Sequence, residues 1–279
     1  MRVVPVSPVT ETVKRLFIEA NYNLPFDVQN RIRECRRIEP WVPAQEALDA
    51  IIANFETAFE VMPVCQDTGM ACVFLEIGDR VYIDGDVANA VNEGVRLACK
   101  EGFLRASVVT DPLERENSGD NTPALLYIDL VQGDTVKITV APKGFGSENM
   151  SRVAMLSPSD GIEGVVAFVI ETVERAGANP CPPIVAGVGI GGSFDKAALM
   201  AKKALLRPLG RRNPHPVYAA LEERLLEEIN ALGIGPAGLG GQTTALAVNI
   251  ETMSTHIAGL PVAVNICCHA VRRAEEACL

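Results

Sequence analysis

Helical and strand periodicities alternate along this chain, and that alternation restricts it to an α/β architecture. Ala47, Leu48, Ile51, Ile52, Phe55 and Phe59 recur at three- and four-residue spacing, which predicts an amphipathic helix over residues 43–62. A strand is expected over residues 71–77, closed by Gly78-Asp79, then a helix from its cap Asp86 to its stop Gly102. Residues 125–131 and 135–140 read as a hairpin joined through Gln132-Gly133-Asp134, and residues 141–149 as a glycine-bearing loop to which Lys143 adds charge. Helices are expected over 161–176, 195–206 and 217–232, strands over 184–188, 243–250 and 260–266, and a short helix after His269. The expectation is an α/β fold with a mixed sheet packed by helices. It forms one domain over residues 1–279, of which 1–62 make a largely helical N-terminal layer.

Composition narrows the function. A hydrophobic share of 48% and a charged share of 22% suit a soluble globular protein. The longest apolar runs, such as residues 164–170, fall far below the ~20 residues a membrane span needs. Residues 1–8 lack a secretory core and cleavage site, so a cytoplasmic protein with no membrane partner is expected. The net charge of −10 argues against nucleic acid, whose phosphates require a basic face. An anionic small molecule stays compatible, because a few arginines can reverse the field inside one cleft.

The eight cysteines separate by context. In a chain of this length without a secretory signal they do not form a disulfide framework. Cys72 lies inside an apolar strand and Cys99 on the Val91–Val95–Ala98 side of a helix, so both read as core. Cys35 and Cys278 lie in charged, exposed-looking surroundings without a constellation. Cys65 differs, being followed by Gln66, Asp67, Thr68 and Gly69, and Cys181 stands among prolines in Asn179-Pro180-Cys181-Pro182-Pro183. Cys268 precedes His269 and Arg272, while its neighbour Cys267 points the opposite way along the chain. No C-x-x-C spacing supports zinc or a ferredoxin-type cluster. Three thiolates remote in sequence can instead hold an iron–sulfur cluster whose last iron has no protein ligand.

Gly187-Val188-Gly189-Ile190-Gly191-Gly192 satisfies G-x-G-x-x-G after a strand. A dinucleotide site also needs an acidic residue about 20 positions on, ending a second strand. Residues 207–214, RPLGRRNP, cannot be that strand. The motif reads as a tight strand-to-helix turn with close packing, with its amides bordering an anion as a second option. His256 suits a structural histidine as well as a functional one, and Arg105 a surface arginine as well as a ligand.

Together these residues resemble the α part of the class I, iron–sulfur-dependent fumarate hydratases and the related L(+)-tartrate dehydratases, from about residue 45 to the end. The anchors are Cys65-Gln66-Asp67-Thr68-Gly69, Leu104-Arg105-Ala106-Ser107, Lys143-Gly144-Phe145-Gly146-Ser147, Cys181-Pro182-Pro183, Gly187 to Gly192, Gly240-Gly241 and residues 260–268. The resemblance implies the family's α-subunit fold, with Cys65, Cys181 and Cys268 as ligands of a [4Fe–4S] cluster. Gln66, Asp67, Arg105, Gly144 and Gly146 are then substrate contacts, with Asp67 and His256 catalytic. Two departures stand out: Gly144-Phe145-Gly146 replaces the family's Gly-Gly-Gly, and Cys267 precedes the third ligand. Single-chain members are longer, so the resemblance implies an α subunit completed by a separate β subunit, in a homodimer or an α2β2 assembly. The expected reaction is reversible dehydration of (S)-malate to fumarate, with L(+)-tartrate dehydration as the alternative. An NAD(P)-dependent oxidoreductase and an iron–sulfur redox sensor are the rivals from other classes.

Overall fold

The computed structural model describes residues 2–278 of the chain and not the Cys278 side chain, so the reading of Cys278 lies outside the described residues. Mixed α/β structure is observed, in two compact units. Unit 1 comprises residues up to Pro25, Phe55–Phe145 and the chain from Arg272, and unit 2 comprises Phe26–Asn54 and Gly146–Val271.

In unit 1, β1 (Arg2–Pro5) pairs in parallel with β3 (Val81–Asp84). A four-stranded sheet has the order β10-β5-β2-β4, formed by β2 (Met70–Gly78), β4 (Leu125–Val131), β5 (Val136–Lys143) and β10 (Ala274–Cys278). The expected hairpin is therefore corrected. β4 and β5 do not pair; β2 lies between them, parallel to β4 and antiparallel to β5. The cause is burial: residues 71–75 of β2 are buried on both faces, whereas β4 is half-exposed and suits an edge. The expected C-terminal helix is likewise corrected to β10, antiparallel to β5.

Helices α1 (Ser7–Tyr22) and α4 (Val87–Glu101) contribute to the core of this unit. Leu16 and Phe17 from α1 and Val91 and Val95 from α4 pack with Val73, Leu75, Ile138 and Val140 of the sheet. Asp86 caps α4 by accepting from the Asn89 amide, and Gly102 ends it, as the sequence predicts. The two helices cross closely at Gly94, where a Cβ would sit 2.7 Å from the Thr10 carbonyl oxygen.

In unit 2, β6 (Arg152–Leu156), β9 (Leu260–Cys267), β7 (Ile184–Gly191) and β8 (Ala245–Met253) form a mixed sheet in that order. β7 is parallel to β8 and antiparallel to β9, and all eight of its residues are buried. Period-two alternation divides its faces. Ala186, Val188 and Ile190 join a core with α6 (Gly161–Ala176) and α8 (Pro216–Ala231), and Gly187 and Gly189 meet the backbone of α7 (Phe194–Ala204). Two further helices, α2 (Phe26–Ile38) and α3 (Val42–Ala58), begin in this unit. Cys35, expected to be exposed, is buried, since it follows Val28 and Ile32 along the buried side of α2. The buried Glu39 carboxylate accepts from the Gln242 and Thr243 amides and the Thr243 hydroxyl, which fixes the turn before β8. No helix among the described residues is long and apolar enough to cross a membrane.

Replacing Gly94 by valine should force α1 and α4 apart and destabilise the fold by about 1–3 kcal/mol. Denaturant unfolding checks this, and an unchanged midpoint would show that the close crossing is not needed.

Candidate functional site

Unit 1 builds a compact polar site around Asp67. The preceding segment is tied to the end of α1, where the Val64 amide donates to the Asn21 carbonyl at 2.9 Å. Cys65 follows half-buried, Gln66 is exposed, and Asp67 is half-buried. Asp67 Oδ1 accepts from the Gly69 amide at 2.9 Å, and Oδ2 accepts from the Phe145 amide at 3.0 Å. One carboxylate thus joins the turn before β2 to the chain leaving β5. Gly69 has φ +75° and lies so close that a Cβ would approach the Lys143 carbonyl carbon to 2.5 Å. Only glycine fits both the conformation and the space.

Asn121 adds the third segment. Its Nδ2 donates to the Gly69 carbonyl at 3.0 Å, and its Oδ1 accepts from the Ser107 amide at 2.9 Å. The loop carrying Arg105 is thereby fixed to the Asp67 turn, with the Arg105 side chain exposed. The buried Ser107 hydroxyl has no hydrogen-bond partner. Gly144 lets the backbone pass close to the carboxylate: a Cβ there would sit 2.9 Å from Asp67 Oδ2 and 3.7 Å from Arg272 Nη2. Arg272 is itself buried, and its Nη1 donates to Asn21 Oδ1 at 2.7 Å. Gly146 lies in the helical turn α5 (Phe145–Glu148), with open space where its Cβ would be. The loop expected over 141–149 is thus the end of β5 followed by this turn.

Unit 2 brings Cys181 and Cys268 to the same end of its sheet. Cys181 precedes β7, is exposed and has φ +53°. Cys268 follows β9, and His269 Nδ1 lies 3.0 Å from the Cys181 carbonyl oxygen. Cys267 is buried and pairs in register with Val185, whereas Cys268 is half-exposed. His256 is not brought to these cysteines. It lies in an exposed turn before β9, with its Nδ1 accepting from the Ala258 amide, while Cys268 follows the other end of that eight-residue strand. At ~3.3 Å per residue, roughly 25 Å of strand separates them.

The glycine motif is explained by packing. A Cβ at Gly187 would lie 2.1 Å from the Ala201 carbonyl oxygen, and one at Gly189 would lie 2.1 Å from that of Ala197. Both glycines sit within β7 and not in a strand-to-helix turn. Asp195 occupies the first turn of α7, the place a bound phosphate would need. Residues 207–214 are anchored as a loop, with Arg207 Nη2 donating to buried Glu222 and the Glu222 carboxylate accepting from the Asn213 and Ile250 amides.

Among the described residues no group of three or more His, Cys, Asp and Glu side chains is gathered to hold a single metal ion. The thiols nevertheless fall into two kinds. Cys35, Cys72, Cys99 and Cys267 are buried, and burial pushes the Cys99 thiol up to about 12. Among the described thiols, Cys65, Cys181 and Cys268 are the ones with access. All three are soft sulfur donors of the type an iron–sulfur group requires, so the donor chemistry fits that group.

The family model described as Fumarate hydratase (Fumerase) matches residues 10–277. The chain belongs to this family. Its established chemistry is addition and removal of water, which makes the chain part of a hydro-lyase. A Methanocaldococcus jannaschii protein is 47% identical over 274 residues, covering 95% of this chain and 96% of its own length. Its name gives L(+)-tartrate dehydratase subunit alpha as a provisional assignment. The Escherichia coli K12 protein named L(+)-tartrate dehydratase subunit alpha is 34% identical over 273 residues, covering 96% of this chain and 90% of its own.

Sequence reasoning did not single out Asn21, Asn121 or Arg272 as site residues. Asn121 carries one local signal, standing in the turn-forming run Gly119-Asp120-Asn121-Thr122-Pro123. Nothing local marks Asn21 or Arg272. Alkylation of the folded, reduced protein with iodoacetamide near pH 8 should modify Cys65 and Cys181 well before Cys72 and Cys99, as read by mass spectrometry. Equal rates would contradict the division of the thiols, because a thiol held near 12 stays protonated at that pH.

Proposed function

We propose that this chain is the α subunit of an iron–sulfur hydro-lyase that removes water from a short hydroxylated dicarboxylate, with L(+)-tartrate as the favoured substrate. The observation that carries the reading is the near full-length similarity to chains whose names give tartrate dehydratase subunit alpha. Those names favour tartrate over the malate-to-fumarate reaction expected from sequence. Malate stays as the second reading because the family description itself is fumarate hydratase.

Cys65, Cys181 and Cys268 would hold a [4Fe–4S] cluster, which supplies a Lewis-acidic iron able to polarise the leaving hydroxyl. The rest falls to the side chains. Asp67, its two oxygens oriented by backbone amides, accepts a hydrogen bond from a substrate hydroxyl or relays its proton. Arg105 and Gln66, both exposed beside Asp67 in the chain or bridged to it by Asn121, clamp a carboxylate and fix geometry. Gly144 and Gly146 present backbone without side chains to the substrate. Loss of water across C2–C3 of tartrate leaves an enol, which tautomerises to a 2-keto diacid; the same step on malate leaves fumarate.

The two units would function as one cluster-bearing α-subunit domain, with residues 1–62 as its mainly helical flank. The relatives' designation as alpha subunits supports a second, β subunit that completes the site. The assembly we propose is a homodimer or α2β2 in the cytoplasm. Neither nucleic acid nor membrane is a partner. The glycine packing in β7 disfavours the NAD(P)-dependent rival.

The test is anaerobic reconstitution with iron and sulfide alongside a co-expressed β subunit, followed by assay on both diacids. Faster turnover of L-tartrate is expected, and Asp67→Asn should lower kcat by 10²-fold or more, the usual scale of a positioned acid–base group. Preference for malate would favour the second reading; activity on neither would defeat both. A sensor would keep its redox response in Asp67→Asn. Prolonged air exposure should abolish activity and renewed iron and sulfide restore it.

A further inference from the structure

Arg272 is buried at 4% exposure, yet the fold gives it little to hold. Nη1 bonds Asn21 Oδ1, while Nε is buried and has no hydrogen-bond partner. Among the described residues no carboxylate lies within ion-pair distance of it. Arg207 makes the contrast: comparably enclosed, it pairs with both Glu222 and Glu251. An unpaired charge away from water carries a large desolvation penalty, and arginine cannot relieve it by losing a proton. The Asp67 carboxylate stands nearby but beyond ion-pair distance, so a direct negative partner is to be sought outside the protein.

The position of the guanidinium indicates which partner. Gly144 puts bare backbone between the two groups: the position its Cβ would take is 3.7 Å from Arg272 Nη2 and 2.9 Å from Asp67 Oδ2. A cation stands on one side and an acceptor on the other. A 2-hydroxy acid offers the matching pair, a carboxylate adjacent to a hydroxyl. We infer that Arg272 is a carboxylate-binding residue of the Asp67 site, taking one carboxylate of the diacid beside Gly144 while Asp67 accepts from the adjoining hydroxyl. Exposed Arg105 is then left to the second carboxylate. This rests on the hydroxy-diacid reading of the site and adds a residue to it.

Titration calorimetry of the full-length chain with L-tartrate and with L-malate, in reducing iron-free buffer, tests the assignment without turnover. Arg272→Met should weaken binding of both acids at least tenfold. Arg272→Lys, which keeps the charge but not the planar fork, should fall in between. Gly144→Ala should also weaken binding, because its methyl would press on Asp67 Oδ2 while leaving Arg272 in place. The ligand-free Arg272→Met protein should melt within a few degrees of wild type. Wild-type affinity in Arg272→Met, or failure of that variant to fold combined with unchanged binding in Gly144→Ala, would reduce Arg272 to a structural residue. A wild-type chain that binds neither acid would overturn this assignment, whereas the hydroxy-diacid reading itself stands or falls on the assay of the reconstituted enzyme with its β subunit.

Discussion

A carboxylate that accepts from two backbone amides belonging to different segments acts as a rivet, and Asp67 is such a group. Each bond to an ionised acceptor contributes roughly 1.5–3 kcal/mol. Breaking them would release the turn before β2 from the chain leaving β5. Gly69 makes the arrangement possible, because any larger residue would collide with Lys143. Asn121 extends it to the loop of Arg105 through the Gly69 carbonyl. Segments remote in sequence thus meet through a few polar bonds, and the order of the site follows from them.

Unit 2 reaches its functional end by packing. Two glycines in β7 let α7 approach the sheet until helix carbonyls occupy the places of their Cβ atoms. The opposite face of the same strand is filled by Val188, Ile190 and the apolar sides of α6 and α8. β7 and β9, fixed in antiparallel register, then deliver Cys181 and Cys268 at one end of the sheet. The exposed turn of His256 is left at the other end.

Much of this was legible in the chain because its causes are local. Local periodicity bounds the helix over 161–176, local chemistry marks the Asp86 cap and the Gly102 stop, and apolar neighbours put Cys72 and Cys99 in the core. Failures came where distant partners override local signals. A short turn between 131 and 135 suggests a hairpin, but β2, apolar on both faces, takes the central place. Ala274-Glu275-Glu276-Ala277 has helix-forming composition, and pairing with β5 draws it into a strand. The charged neighbours of Cys35 suggest exposure, whereas its spacing from Val28 and Ile32 marks the buried side of a helix. Of the site, the thiols and Asp67 stood out by their company in sequence. The burial of Arg272 is a tertiary fact without a local trace.

The central claim is that Cys65, Cys181 and Cys268 serve one iron–sulfur group while the buried cysteines do not. Iron and acid-labile sulfide analysis with Mössbauer spectroscopy, on protein reconstituted anaerobically, addresses it directly. The account predicts about four iron and four sulfide per chain in wild type. It predicts loss of that signature in Cys65→Ser, Cys181→Ser and Cys268→Ser, and its retention in Cys267→Ser. A cluster that survives in all three of the first variants, or disappears only in Cys267→Ser, would contradict it.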